Sequence, residues 1–166
     1  MSLQRRSCYL VADMNKDYAE LAKLLEELAQ TVDLLSQSQR EITAAARAED
    51  LAALGECMKT EQAYALTLRN LDKKRQEMQS RMGIADHTLR MVRSAAPDEE
   101  SGRLIRQAET RLSESYKVLQ SASEIARSTL ECNLHQVEKM IEHLGVDPKQ
   151  ALENPTRGGA HTDFHA

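Results

Sequence analysis

Tryptophan is missing from this chain of 166 residues, phenylalanine occurs once and tyrosine four times. A compact globular core ordinarily draws on such residues, because each buries a large apolar area. Glycine (six) and proline (three) are scarce as well, which leaves few places for the chain to turn. No apolar run approaches the ~20 residues that span a bilayer, so membrane insertion is not expected. The opening segment "MSLQRRSCYLVADMNKDY" breaks its apolar run at Asp13 without a convincing cleavage site, which argues against a signal peptide. Cys8, Cys57 and Cys132 are odd in number, far apart and never paired as CxxC. Neither a disulfide framework nor a zinc site follows from them, and a reduced, cytoplasmic setting is expected. Charge of one sign is also lacking: 22 basic residues face 26 acidic ones, for a net charge of −4. That balance argues against nucleic acid as the main partner and against a polybasic membrane patch.

What is present is Ala, Leu, Glu, Arg, Gln and Ser, the composition of long helices. A heptad ruler laid from Leu3 touches Leu10, Met14, Leu21, Leu24, Leu28, Val32, Leu35, Ile42 and Ala46, interrupted by Ser7, Asp17 and Gln39. One helix is therefore expected from Leu3 to Arg47, with Asn15 and Asp17 marking a possible break or restart. The pattern resets at "ARAEDLAAL", where Asp50 suits an N-cap. A second helix carries Leu54, Cys57, Tyr64, Leu68, Leu71, Met78 and Met82 on its seam, with Glu61 and Arg75 as exceptions, and stops at Gly83. A short helix is expected within "IADHTLRMVRSAAP". The third long helix starts at Pro97 or Asp98, with acids in its first turn, and ends at Leu144 before Gly145. The expected fold is all-α: an elongated antiparallel bundle of three long helices, a coiled-coil-like hairpin plus a long C-terminal helix, with a short connecting helix. Residues 1–145 form this helical domain, and residues 146–166, with two Pro and two Gly, read as a flexible tail.

Nothing in the chain suggests catalysis. A Gly-rich phosphate loop, a nucleophile elbow and an HExxH pair are all missing. A carboxylate-bridged metal bundle needs Glu-x-x-His on two helices, and no Glu-x-x-His occurs, so neither metal nor cofactor is expected. Cys57 and Cys132 fall on or near apolar stripes and read as small buried or half-buried residues.

The final stretch "LECNLHQVEKMIEHLG" stands out. Leu130, Leu134, Val137, Ile141 and Leu144 follow a 4-3-4-3 rhythm that sets all five on one side of a helix, and Ile125, Cys132 and Met140 add an offset row. The preceding seam is small-sided: Ala108, Ser115, Ala122, Ala126 and Thr129. Three helices of unequal length cannot cover one another completely. Either the short helix after Gly83 fills the gap or one end of the third helix projects. If that helix begins near the end of the second, its last ten or more residues overhang. The stripe is then surface for a partner helix, a self-association face or internal core. Glu131, Glu138 and Glu142 beside it favour partners with basic flanks.

Taken together, the heptad first helix, the block "AAARAEDLAALGECMKTEQAYALTLRNLDKKRQEMQSRMG" and the ending "NLHQVEKMIEHLG" resemble the flagellar export chaperone FlgN family. The hairpin of that family corresponds here to Asp50, Leu51, Leu54, Glu61, Leu68, Leu71, Arg75 and Gly83, and its closing helix to Asn133, Leu134 and Val137. The likeness covers about residues 15–145. It implies a cytosolic chaperone without enzymatic activity. Such a protein holds hook–filament junction proteins through its C-terminal helix, here Ile125, Leu130, Leu134, Val137, Met140, Ile141 and Leu144. It then delivers them to components of the export gate. One departure concerns aromatic docking residues: the last Tyr is Tyr116, and Phe164 is the one later aromatic. The alternative is a structural or adaptor coiled coil, a homodimer through the same stripe.

Overall fold

A computed structural model describes the backbone of residues 3–145 and the side chains of residues 14–145. The expected tail 146–166, with Phe164, and the side chains of Leu3, Ser7, Cys8 and Leu10 lie outside the described residues. The chain forms four helices: α1 (Leu3–Arg47), α2 (Leu51–Arg81), α3 (Leu89–Ser94) and α4 (Glu99–Leu144).

Each boundary has a local chemical cause. The Asp50 carboxylate accepts from the Ala53 amide at 2.9 Å and starts α2, satisfying a donor that the helix itself cannot. Asp98 does the same for α4 through the Ser101 amide at 2.7 Å. At the far ends Gly83 (φ 74°) and Gly145 (φ 63°) take the left-handed conformation that closes a helix at least cost. Asn15 does not break α1. Its side-chain amide instead donates to Asp98 Oδ2 at 2.7 Å, tying α1 to the start of α4.

The contacts set the directions. Asn15 meets Asp98 and Ser101, Asp33 meets Arg111, and Ala46 meets Asn133, so α4 runs parallel to α1. Ser38 donates to the Cys57 carbonyl nearer the corner, while Leu24 and Glu27 share a groove with Lys74, Met78 and Arg81 towards the far end, so α2 runs antiparallel to α1, and the three long helices go up, down and up. In this arrangement α1 is the central helix. Leu21, Leu25, Leu28 and Val32 are buried on it, and so are residues off the heptad line such as Ala29, Ser36 and Ser38, because it is covered on two sides. The seam of α2 is only half-buried along its whole length, including Glu61 and Arg75. Ala108, Ser115, Ala122 and Ala126 of α4 are buried, and their small size lets α4 approach α1 closely.

The short helix α3 is anchored rather than merely connecting. Val92 is fully buried, and Tyr18 Oη donates to its carbonyl oxygen at 3.2 Å. Removing that donor in Tyr18→Phe leaves a buried carbonyl one bond short, at a cost of about 1 kcal/mol. Chemical denaturation is expected to show this loss, and an unchanged midpoint would mean the bond contributes nothing.

The Asp33–Arg111 ion pair closes the α1–α4 seam near its middle. Partial burial pushes the Asp33 carboxyl up, but hydrogen bonds from Arg111 and Ser115 and the Arg111 charge outweigh it, so it titrates below the ordinary value. A carboxyl lowered in the folded state contributes stability above its unfolded value of ~3.9, and that contribution is lost as pH falls through the folded value. Wild type should therefore lose more melting temperature between pH 5 and pH 2 than Asp33→Asn. Parallel losses in the two proteins would exclude the linkage.

Candidate functional site

Asn133 marks the place where α4 leaves its neighbours. Its side-chain amide donates to the carbonyl of Ala46 at 2.7 Å, one residue before α1 ends at Arg47. From residue 134 to residue 144 the helix continues past the end of α1, a run of roughly 16 Å at 1.5 Å per residue, with Gln136, Val137 and Met140 still beside the α1–α2 corner. The expected overhang is thus a feature of the fold, and its cause is register. Because α4 starts opposite Asn15 and is as long as α1, it must outrun α1 at the other end.

The projecting segment carries the apolar stripe. Leu134 is 59% exposed, Val137 45%, Met140 57% and Leu144 76%, while Leu130 and Ile141 are half-buried. At 100° of rotation per residue, Leu130, Leu134, Val137, Ile141 and Leu144 fall within an arc of about 80°. Met140 lies about 40° outside that arc and Ile125 about 100° outside it by the same rotation. Leu130, Val137 and Met140 share a groove of about 320 Å³ with Ala45 and Ala46 of α1 and Leu51 and Leu54 of α2. Ile125 does not join them; it lines a separate groove between α1 and α4.

Leu51 and Leu54 were not among the site residues expected from the sequence. Leu51 is 79% exposed in the first turn of α2 and forms the opposite wall of the groove, with Leu54 half-buried beneath it. The heptad line assigns Leu54 to the α1 seam and passes over Leu51. The available signal was an apolar residue directly after the Asp50 cap, with nothing on the heptad line to cover it.

The rim is acidic. Glu49 and Asp50 edge the groove at the corner. Glu131 is held by Arg127 at 2.8 Å, and Glu138 lies 4.0 Å from His135 Nδ1. These exposed pairs are worth little energetically. They keep an apolar surface wet at its edges and bias it towards cationic flanks. Cys132 departs from the expected burial: it is exposed, about 120° of rotation outside the stripe, and Cys57 is half-buried on the α2 seam. Among the described residues, no three His, Cys, Asp or Glu side chains converge to hold a metal ion, and no helix is long and apolar enough to cross a membrane. The groove thus has two apolar walls, a flexible Met at the lip and an acidic rim.

Compared with known proteins, residues 14–159 match the family described as FlgN protein. Neither a curated protein nor a solved structure matches the chain.

Proposed function

Because the chain belongs to the FlgN protein family, whose role is that of a flagellar export chaperone, we propose that it holds hook–filament junction proteins on the free end of α4. It keeps them unassembled in the cytoplasm and delivers them to the export gate. The observation that carries this reading is the apolar stripe left without an internal partner, from Leu134 to Leu144. A terminal helix of the cargo lays its apolar face on Leu130, Leu134, Val137, Ile141 and Leu144, with Leu51 and Met140 closing over its edges. Each well-buried Leu or Ile contributes ~1.5–3 kcal/mol before ordering costs. Folding of a disordered cargo segment takes back part of that, which leaves micromolar to nanomolar affinity. Such a complex protects its cargo and still releases it. In this reading residues 1–145 form the working body, residues 146–166 are a separate tail, and no bond is made or broken at any step.

Light scattering of the full chain, alone and mixed with a purified hook–filament junction protein, tests the proposal. A stoichiometric complex of the two is expected. Absence of any complex overturns the reading. A homodimer that excludes the junction protein favours the alternative, a coiled-coil adaptor that self-associates through the same stripe, for which the exposure of that stripe speaks equally.

A further inference from the structure

Ile125, set apart from the terminal stripe, occupies a different setting. With Val118 it forms the apolar side of a groove of about 580 Å³ along the α1–α4 seam, floored by Ala122. Val118 and Ile125 are 44% and 50% exposed. The charged members of the groove are Arg40 and Arg47 from α1 and Lys117 from α4, and no acid lines it. Among the described residues none of the three cations makes an ion pair. Of the nearby acids, Asp33 feels the Arg40 charge but is hydrogen-bonded to Arg111, Glu41 accepts from the Gln37 amide, and Glu114 lines an adjacent groove with Arg111.

The register explains the vacancy. Asp33 pairs with Arg111 at a separation of 78 residues, and the parallel course of α1 and α4 repeats that separation one and two heptads later. It sets Arg40 beside Val118 and Arg47 beside Ile125. The first layer contains its own acid. The next two offer a cation on one wall and an aliphatic side chain on the other. Arg40 and Arg47 are seven residues apart, as are Val118 and Ile125, so both walls repeat about every 10.5 Å, the length of two helical turns. That repeat fits a helix with apolar residues along one edge and carboxylates at seven-residue spacing along the other. On a chain of net charge −4, the groove is a local reversal of sign.

We propose that the α1–α4 groove is a second docking surface, which takes an acidic amphipathic helix of a partner protein independently of the free end of α4. The two surfaces have opposite charge preferences, an acidic rim at the end of α4 and a cationic wall along the seam. Cargo and second partner are therefore sorted by the sign of their flanks, and both are held at once. This goes beyond the cargo-holding role and does not depend on it.

Two fluorescein-labelled helical peptides test it. They share one Leu/Ile row at heptad spacing and carry either Glu or Lys at the flanking positions, and binding to the full chain is read by anisotropy. In Leu134→Glu/Ile141→Glu, a background that silences the terminal stripe, the Glu peptide is expected to bind at least about tenfold more tightly than the Lys peptide. Arg40→Glu/Arg47→Glu should weaken Glu-peptide binding about tenfold or more, and raised salt should weaken it in wild type. Arg40→Gln/Arg47→Gln serves if the reversal lowers helicity, with a smaller loss expected. Glu-peptide binding that is absent, unchanged by either charge variant, or abolished by the stripe substitutions alone overturns the proposal. A wild-type dimer that the charge reversal dissolves does so too, since the groove would then be occupied by a second copy.

Discussion

Leu134→Glu/Ile141→Glu is expected to abolish capture of hook–filament junction proteins, lowering affinity by at least about a hundredfold, while the helical fold survives. Two anchors at ~1.5–3 kcal/mol each are lost, and two carboxylates would be pressed against an apolar cargo face. Since 1.4 kcal/mol is a factor of ten, a hundredfold is the lower bound. Stability should hardly change, because Leu134 is 59% exposed and touches water already. Ile141 is half-buried but lies beyond the Asn133 contact that ends the α1–α4 seam. A melting temperature within about 2 °C of wild type is expected, because exposed substitutions stay within roughly ±0.5 kcal/mol. Titration calorimetry with the purified cargo and a thermal melt check the two halves. A collapse of the melt with loss of binding would mean the stripe is structural after all.

Much of this architecture was legible from apolar spacing. The seam of α2 from Leu54 to Met82 follows the heptad line with Glu61 and Arg75 in place, and all of its positions are half-buried. The caps Asp50, Asp98, Gly83 and Gly145 sit where their side-chain chemistry requires. Helix lengths left either a gap filled by the short helix or an overhang, and the Asn15–Asp98 register decides for the overhang. Which helix would be central was not legible. Heptad spacing reports that a helix has one apolar face, and α1 buries a second made of Ala29, Ser36 and Thr43, while Ser38 is buried on the side that meets α2. Small and hydroxyl residues carry little hydrophobic signal, and the hydroxyls of Ser36 and Thr43 are satisfied by the carbonyls of Val32 and Gln39 one turn back. The second wall of the groove at the end of α4 was hidden for a related reason. Leu51 and Leu130 are 79 positions apart in the chain, and only the parallel register of α1 and α4 brings the α2 corner beside them. Ile125, which the spacing set in an offset row, lines the cationic groove between α1 and α4 rather than the groove shared by Leu130, Val137 and Met140.

The largest stability effect is expected at the other end of the molecule. Leu25 is fully buried in the cluster formed with Tyr18, Leu21, Leu28, Val92, Ile105 and Ala108, where α1, α3 and α4 converge and Leu68, Leu71 and Met78 of α2 close the side. Leu25→Ala removes a packed side chain from a place where three helices meet, so the cavity cannot collapse without moving one of them. A loss of about 2–5 kcal/mol follows, or roughly 10 °C of melting temperature for a chain of this size. Leu66→Ala provides the contrast: Leu66 is 57% exposed, and its truncation should be nearly neutral. At a temperature where Leu25→Ala remains folded, its cargo affinity should equal that of wild type, because the cluster and the terminal stripe share no residue and sites this far apart act additively. In the combined variant Leu25→Ala/Leu134→Glu/Ile141→Glu, the stability loss should be that of the first substitution and the binding loss that of the other two. A cargo affinity that falls with Leu25→Ala in the folded protein would instead show that the packed end and the projecting end communicate through α4, and that holding cargo depends on how firmly α1 grips that helix along the seam between them.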